Sequence, residues 1–171
     1  MNRKTFALLA LALIVGAAAG VFLRWPRAAT ADEPSKNGFD RKAINPPGLY
    51  DASKWYAHVV KVRGGTTVFI AGQVAYNEKK ELIGKGDLSA QAVRAFKNLK
   101  TALRAGGASP ADVVKINVYI VNYKEDKIGV LEEGLNECFG KDRNFASTVV
   151  GVQALARDEL LIEVEAVAVV P

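Results

Sequence analysis

Stretches in which apolar and polar residues alternate, or in which β-branched residues dominate, predict six strands in this chain. They lie at residues 58–63, 66–71, 74–76, 113–121, 147–152 and 160–170. Two further stretches carry apolar residues at helical spacing and predict helices over about 87–105 and 126–139. The resulting order, β-β-β-α-β-α-β-β, indicates an α+β fold in which both helices cover one face of the sheet.

Glycines interrupt the first of these strands at two places. Gly64 and Gly65 separate two β-rich runs, and a Gly-Gly pair there predicts a two-residue hairpin, since both residues accept a positive φ. Gly72 falls inside the next β-rich stretch, which predicts a β-bulge or a close approach of another group to its backbone. The chain is therefore expected to turn sharply at 64–65 and to be irregular at 72.

The last strand has two faces of different character. One face is wholly apolar and must contact the helices; it holds Leu160, Ile162, Val164, Ala166, Ala168 and Val170. The opposite face mixes two acids with apolar side chains, namely Leu161, Glu163, Glu165, Val167 and Val169. That face is too apolar to lie in water, and the sequence offers no third helix to cover it. We therefore expect another subunit to pack there, with at least one carboxylate close to the contact.

The first part of the chain, residues 1–31, has the pattern of an export signal. A basic start precedes the strongly apolar stretch 6–15, and Ala29-Thr30-Ala31 offers a small-residue cleavage site. Residues 6–23 are also just long enough to span a bilayer, so an uncleaved membrane tether is the alternative to a cleaved signal. Either outcome places the domain outside the cytoplasm, in the periplasm or the extracellular space.

Composition and charge narrow the functions that the rest of the chain can have. Residues 32–45 are polar, follow no period and are interpreted as a linker, which leaves a domain at 46–171. The sequence pI is about 9.3, but four basic residues and no acid lie within 1–31, so the domain is close to neutral and a nucleic-acid partner is not expected. Within one chain, a single Cys and a single His exclude an internal disulfide, a cysteine-based zinc cluster and a multi-histidine metal site.

Four segments, taken in order, resemble the RidA/YjgF family. Residues 64–73 resemble its G-x-x-x-x-x-S-G-Q stretch, and residues 90–109 resemble its Q-x-x-x-x-x-x-N-L helix with the A-G-A turn that follows. Residues 112–115 resemble its D-V-V-K segment, and residues 161–168 resemble its V-E-I-E-A-I-A terminus. The match runs from Tyr56 to Val170, and its strength lies in the ordered set rather than in any single motif.

The resemblance implies a fold, an assembly and a reaction. The fold is chorismate-mutase-like (YjgF-like), with a six-stranded mixed sheet and two helices on one face. The assembly is a homotrimer in which the sheets form an inner barrel and three small-molecule clefts lie between subunits. Members of the family hydrolyse 2-imino or 2-enamino acids to 2-oxo acids and ammonia, and the resemblance implies neither a metal nor another cofactor.

The resemblance also assigns site residues. Glu163 takes the place of the family glutamate, which as a catalytic residue would handle water. Tyr56 stands for the tyrosine before the first strand, and Ala71 and Gly72 occupy the places of Ser and Gly in S-G-Q. The arginine of P-A-R-S, which would clamp a substrate carboxylate, is assigned to Ala146. Without that arginine, hydrolysis of 2-imino acids lacks its usual anion-binding group.

Several other residues are candidates with two interpretations each. His58 follows Tyr56 by two residues and is expected to share its face, either as a cation or proton carrier in the site or as a hydrogen-bonded strand-end histidine. Asn117 and Ser147 either bind substrate or make local hydrogen bonds. Arg143 could reach the cleft from three residues before the missing arginine, but it is interpreted as a solvated loop charge. Cys138, on the apolar side of a helix, is interpreted as a small core residue.

Two functions of different classes follow from these assignments. The first is an exported hydrolase or deaminase of small imines or enamines, with Glu163 in the catalytic role. The second is a trimer that binds a small metabolite in the same clefts without chemistry. A ribonuclease is disfavoured by the single His and the near-neutral domain. Glu165, which shares a face with Glu163, is interpreted as structural.

Overall fold

The computed structural model describes residues 38–171, so the leader and the first part of the predicted linker lie outside the described residues. Its strands are β1 (Asp40–Ile44), β2 (Val59–Arg63), β3 (Thr66–Gln73), β4 (Val113–Val121), β5 (Ala146–Val152) and β6 (Ile162–Val170). Its helices are α1 (Leu88–Ala105) and α2 (Ile128–Phe139), with short 3-10 turns at Pro110–Asp112 and Glu125–Lys127. Within this part of the chain, neither helix is long and apolar enough to cross a membrane.

The strands form two sheets rather than one. Four of them form a mixed sheet in the order β3-β6-β4-β5, in which β4 and β5 are parallel and the other two pairs are antiparallel. The strands β1 and β2 form a separate antiparallel pair. The predicted α+β class is confirmed, as are the two helices, but the expected single six-stranded sheet is divided into four strands and two.

The first strand corrects the predicted linker. Residues 40–44 pair along their whole length with β2, in the register Asp40 to Arg63 and Ile44 to Val59. Arg41 holds this strand in place, because its guanidinium donates hydrogen bonds to the carbonyl oxygens of Ala111, Val113 and Asn144 at 2.6–2.7 Å. A polar strand of this kind has no apolar period, so its sequence looked like a tether.

The predicted hairpin at 64–65 is half right. Gly64 and Gly65 both have positive φ, at 73° and 78°, as a tight turn between strands requires. The two strands that they join do not form the expected ladder, since β2 pairs with β1 and β3 pairs with β6. The glycines therefore carry the chain from one sheet to the other.

The predicted third strand at 74–76 is wrong. The backbone there is tied to a helix side chain instead of a strand, since Asn98 Nδ2 donates to the carbonyl oxygens of Val74 and Tyr76, both at 2.7 Å. Tyr76 keeps a single β-bridge, to Leu82. A hydrogen bond from a residue so distant in sequence satisfies the carbonyls without regular pairing.

The helices pack on one face of the four-stranded sheet and form the core with it. Asp87 caps α1 by accepting a hydrogen bond from the backbone of Ala90 at 3.1 Å. The core includes Phe96, Leu99, Leu103, Ile116, Val118, Ile120, Leu131, Leu135, Cys138, Ile162 and Val164. The helices approach closely, because a Cβ on Gly134 of α2 would overlap the ring of Phe96. The prediction that Cys138 is a core residue is confirmed.

The other face of the four-stranded sheet, which we call the outer face, is not covered by any helix among residues 38–171. It carries Phe69, Ala71, Lys115, Asn117, Tyr119, Thr148, Val150, Glu163, Glu165 and Val167. Phe69 is 79% exposed and Val150 is 39% exposed, whereas the opposite side of β6 is buried at Ile162, Val164 and Ala168. The predicted difference between the two faces of the last strand is confirmed.

Candidate functional site

The carboxyl group of Glu163 lies directly over the backbone of Gly72. The two residues are brought together by β6 and by a bulge in β3, where the register shifts between Ile70 and Gln73. A Cβ on Gly72 would overlap Glu163 Oε1 and would lie 2.6 Å from its Cδ. Both expectations for Gly72, a bulge and a close approach, are confirmed, and the glycine is what gives this carboxyl group its position.

Glu165, two residues further along β6, has a different environment. Its Oε1 accepts hydrogen bonds from Asn117 Nδ2 at 2.6 Å and from the Tyr119 hydroxyl at 3.0 Å. The pKa of Tyr119 is raised above its ordinary value, mainly by the hydrogen bond to Glu165 and to a smaller extent by burial. Within residues 38–171 the carboxylate of Glu163 accepts no comparable hydrogen bond. Of the two acids, Glu165 is held by its neighbours and Glu163 is the one available to a ligand.

A cavity of about 380 Å³ opens on the outer face beside Glu165. It is lined by Phe69, Ile70, Ala71, Lys115, Asn117, Glu165, Ala166 and Val167. The sequence-predicted residues Ala71 and Asn117 are therefore neighbours here, together with Lys115, which the sequence did not single out. The Lys115 ammonium donates to Thr148 Oγ1 at 2.6 Å, and the Asn117 amide donates to Glu165, so both side chains are engaged within the sheet.

A second cavity, of about 330 Å³, lies at the β5 edge on the helix side, and we call it the aromatic cavity. Its lining consists of Tyr50, Trp55, Tyr56, Ile128, Leu131, Leu135, Ser147 and Val149. The predicted residues Tyr56 and Ser147 meet here, while Glu163 is not part of the lining. Tyr50 was missed from the sequence, because it lies in a polar loop before the domain's regular pattern begins.

His58 joins the two tyrosines rather than standing alone. Its ring meets those of Tyr50 and Tyr56 edge-on, with centroids 5.1 and 5.5 Å away. Its Nε2 donates to the carbonyl oxygen of Tyr50 at 2.8 Å. The hydroxyl groups of Tyr50 and Tyr56 are hydrogen-bonded to each other, and this bond is the main cause of the raised pKa of Tyr56. His58 therefore acts as a support for the tyrosine pair in this chain.

A sequence match that covers almost the whole described part of the chain shows to which family the protein belongs. The family model described as Endoribonuclease L-PSP matches residues 49–170. The chain belongs to this family. It is the family also called RidA/YjgF, so the resemblance drawn from the four segments is confirmed.

Individual family members support the same assignment. A RutC family protein of Pyrococcus abyssi is 35% identical over 76% of this chain and 93% of its own length. A protein of Dermatophagoides farinae named 2-iminobutanoate/2-iminopropanoate deaminase is 31% identical over 67% of this chain and 85% of its own. The crystal structure of the Rid family protein YyfB from Yersinia pestis is 42% identical, covers 76% of this chain and 98% of that one, and superposes with a TM-score of 0.71.

The RidA/YjgF motif P-A-R-S needs a correction of register. Read letter by letter over residues 145–148, its arginine falls on Ser147 and not on Ala146. The sheet separates the two residues, since Ala146 is opposite Lys115 on the outer face, whereas Ser147 is opposite the buried Ile116 and lines the aromatic cavity. Read in this register, the resemblance assigns the place of the family arginine to Ser147, and Ala146 lies on the other side of β5.

Nearby cations do not replace that arginine. Arg143 is only 8% exposed, and its guanidinium donates to the Leu135 carbonyl at 3.1 Å and to Asn136 Oδ1 at 2.9 Å. The interpretation of Arg143 as a solvated loop charge is therefore wrong, because its guanidinium is buried against α2 and donates to Leu135 and Asn136 there. Lys54 lies over the Trp55 ring at 4.4 Å and is 3.7 Å from a carboxylate oxygen of Glu132.

One chain thus carries the candidate residues in two separate groups. Gly72 and Glu163 lie toward the β3 edge of the four-stranded sheet, and Tyr56 and Ser147 lie at the β5 edge. No group of three or more His, Cys, Asp or Glu side chains suited to a metal ion occurs in the described part of the chain. Within the described part of one chain, Glu163 and the aromatic cavity therefore do not form a single site.

Proposed function

We propose that the protein hydrolyses small imines or enamines at clefts between the subunits of a homotrimer, with Glu163 as the catalytic residue. The observation that carries this proposal is the position of Glu163, whose carboxyl group is held over Gly72 without a hydrogen-bond donor from the described residues. Family membership and the deaminase name of the Dermatophagoides farinae relative support the same reaction class.

The assembly follows from the two edges of the sheet. A ring of identical subunits joins them head to tail, so that two different surfaces of the chain meet at every interface. A β3 edge carrying Gly72 and Glu163 then faces a β5 edge carrying Tyr56 and Ser147, and the two halves form one cleft. The exposed Phe69 and Val150 on the outer face supply apolar area for such a contact.

The chemistry needs little from the protein beyond a proton carrier and a pocket. Water adds across the C=N bond of the imine, with its oxygen bonding to carbon, while Glu163 takes a proton from the water and returns it to nitrogen. The hydroxyl group of the tetrahedral intermediate then loses its proton, Glu163 passes a proton to the nitrogen, and the C–N bond breaks as the C=O double bond forms. The products are a carbonyl compound and ammonia, so one water molecule is consumed for each imine hydrolysed.

The first test compares the two acids of β6. Imines are made in situ, from amino acids by an amino-acid oxidase and from amines by an amine oxidase, with catalase present, and ammonia release is followed. Glu163→Gln should slow the reaction by roughly 10²–10⁴-fold, because it removes the proton carrier but keeps the shape. Glu165→Gln, the matched control, should keep the rate. The proposal fails if the wild-type protein accelerates no imine in the panel, or if Glu163→Gln is as active as wild type.

A second test asks whether each cleft uses two subunits. Glu163→Gln and Ser147→Trp proteins are unfolded together and refolded together, so that mixed trimers form. Each variant alone should be inactive. When equal amounts are mixed and assemble at random, about a quarter of the clefts should have an intact Glu163 on one side and an intact Ser147 on the other. The mixture should therefore regain activity at that share of its clefts. A mixture as inactive as its parents, although mass spectrometry shows mixed trimers, would contradict a shared cleft.

A non-catalytic binding trimer is the second candidate, and one observation favours it. Ser147 and Ala71 stand where the family has an arginine and a serine, so two polar groups of the reaction are missing. Ligands that raise the melting temperature of the trimer, without ammonia release from any imine in the panel, would favour this candidate. Turnover that Glu163→Gln abolishes would exclude it.

We also propose that the protein is exported, on the basis of the basic, apolar and small-residue pattern of residues 1–31. Cell fractionation of the full chain should find it in the periplasm or the medium, or on the outer side of the membrane if residues 6–23 remain as a tether. Mass spectrometry of the isolated protein distinguishes the two, since cleavage removes the leader. Recovery of the full-length chain in the cytoplasm would contradict export.

A further inference from the structure

The aromatic cavity is apolar nearly throughout. Four aliphatic side chains form one side of it, of which Leu131 and Leu135 are each 3% exposed. Three aromatic rings form the other, those of Tyr50, Trp55 and Tyr56. The Ser147 hydroxyl and the hydrogen-bonded pair of tyrosine hydroxyls are its polar side-chain groups. A lining of this composition takes an apolar ligand and orients it through a few hydroxyls.

Among residues 38–171 the lining contains no charged side chain, and two nearby cations, Arg143 and Lys54, are engaged with other groups. Arg143 is held by Leu135 and Asn136 behind α2. Lys54 is on the outer rim, engaged with Trp55 and Glu132. A carboxylate placed in this cavity would lose its water without gaining a positive partner, which is unfavourable.

The opposite half of the proposed cleft makes binding of a carboxylate still less favourable. It contributes Glu163, an acid, so an anionic ligand would meet a like charge. Lys115 does not offset this, because it lies on the outer face and donates to Thr148. Arg94 lies in a groove beside Gly72, but on the α1 side of β3, where its Nε donates to the Tyr76 carbonyl at 3.1 Å.

From these contacts we propose that the ligand of this site is an uncharged imine or enamine with an aromatic or bulky aliphatic group, and not a 2-imino acid with a free carboxylate. The apolar group lies among Tyr50, Trp55 and Tyr56, and Ser147 contacts the polar end. The inference rests on the proposed function for its reaction, whereas the choice of ligand rests on the lining of the aromatic cavity and is strengthened by Glu163 in the proposed cleft. The reaction that supplies such a substrate is the oxidation of a primary amine rather than of an amino acid.

The test uses two stable probes that share a shape and differ in charge, phenylacetamide and phenylacetate. Binding is measured by calorimetry and by the fluorescence of Trp55, with Trp25 replaced by Phe to remove the other tryptophan signal. Phenylacetamide should bind at least about tenfold more tightly than phenylacetate. Equal binding of the two, tighter binding of phenylacetate, or binding of neither would overturn the proposal.

A charge placed in the cavity should reverse the preference. Ser147→Arg puts a guanidinium at this position, and phenylacetate should then bind at least about tenfold more tightly than phenylacetamide. Ser147→Gln is the matched control, similar in reach but neutral, and should keep the preference for phenylacetamide. If Ser147→Arg unfolds the protein, the wild-type comparison of the two probes still decides the proposal. A folded Ser147→Arg protein that still prefers the amide would contradict the location of the ligand.

Turnover separates this inference from the proposed function. The imine from phenylethylamine and the imino acid from phenylalanine differ only in the carboxylate, and ammonia release should be at least about tenfold faster with the first. Faster turnover of the imino acid would overturn the inference and leave the hydrolase intact. The expected binding preference without turnover of either substrate would remove the hydrolase and leave the ligand class intact.

Discussion

The two faces of the four-stranded sheet are built from the same strands, but one is buried under the helices and the other is exposed. On the helix side, Phe96, Leu99, Ile116 and Ile162 are at most 1% exposed, and the face is complete within one chain. On the outer face, Phe69 is 79% exposed and two acids lie among apolar side chains. The first face accounts for the fold, and the second is the face on which we propose that another subunit packs.

The contrast extends to the acids themselves. Glu165 is satisfied by Asn117 and Tyr119, as a residue of a finished structure would be. The carboxyl group of Glu163 instead lies over Gly72, which leaves room for it and, having no side chain, offers it no side-chain hydrogen-bond donor. Position without satisfaction is characteristic of a group that awaits a ligand, and it is the reason for assigning chemistry to one acid and not to the other.

The largest effect is expected from damage to the helix side. Phe96→Ala removes a fully buried ring that packs against Phe139 and Gly134, and should lower the free energy of unfolding by about 3–5 kcal/mol. Urea denaturation followed by circular dichroism measures this. Lys97→Ala, the exposed neighbour on α1, should change it by less than about 0.5 kcal/mol. Similar losses for the two variants would show that the helix face is not the core.

The next effect concerns the outer face and should spare the fold. Phe69→Asp places a charge where another subunit is proposed to pack, so the protein should dissociate to monomers in analytical ultracentrifugation. Its far-UV circular dichroism should match that of wild type, because Phe69 makes little of the core. Thr67→Asp, on the same strand face but nearer its start, is expected to be milder. A Phe69→Asp protein that sediments as wild type does would contradict the proposed contact.

A smaller change, a single methyl group, should affect activity more than stability. Gly72→Ala places a Cβ where the Glu163 carboxyl group lies, so that side chain must move. Ammonia release should fall by roughly 10–100-fold, because the proton carrier is displaced rather than removed. The Gly129→Ala variant, whose Cβ would meet no atom within 4 Å, provides the matched control and should be fully active. Unchanged activity of Gly72→Ala would disconnect Glu163 from catalysis.

The smallest effect is expected at Cys138. Burial raises the pKa of its thiol to about 12, so the reactive thiolate is scarce at pH 7–9 in the folded protein. Ellman's reagent at pH 8 should modify it only slowly, and rapidly once urea unfolds the chain. Raising the pH toward 12 should accelerate modification of the folded protein, since the thiol then begins to ionise. Rapid labelling of the native protein at pH 8 would place Cys138 outside the core.

The sequence predicted best those elements whose period is uninterrupted. β4 was placed at 113–121, and the structure has the same limits, because alternation across a half-buried strand is a strong local signal. The limits of α1, predicted as about 87–105 and found at Leu88–Ala105, and the two faces of β6 were predicted equally well. Each of these features depends on residues that are close together in sequence, so the pattern of one segment is enough to predict it.

The errors came from contacts between residues far apart in sequence. The polar strand β1 is held by Arg41 through carbonyls some seventy to one hundred residues away, and the loop at 74–76 is held by Asn98. Tyr50 and Arg143 were likewise misjudged or missed, since their partners are set by the fold. In the candidate site, Glu163 was found from a motif, whereas the lining of the aromatic cavity comes from segments far apart in sequence and became visible only in the fold.

The close approach of the Glu163 carboxyl group to Gly72 couples the evolution of two positions that lie about ninety residues apart in the chain. As long as the acid is present, natural drift at position 72 is blocked, since even alanine would collide with it. A descendant that lost the acid would be released from this restriction and would be free to acquire a side chain at 72. Among related sequences, the bare backbone at one position should therefore accompany the carboxylate at the other and disappear with it.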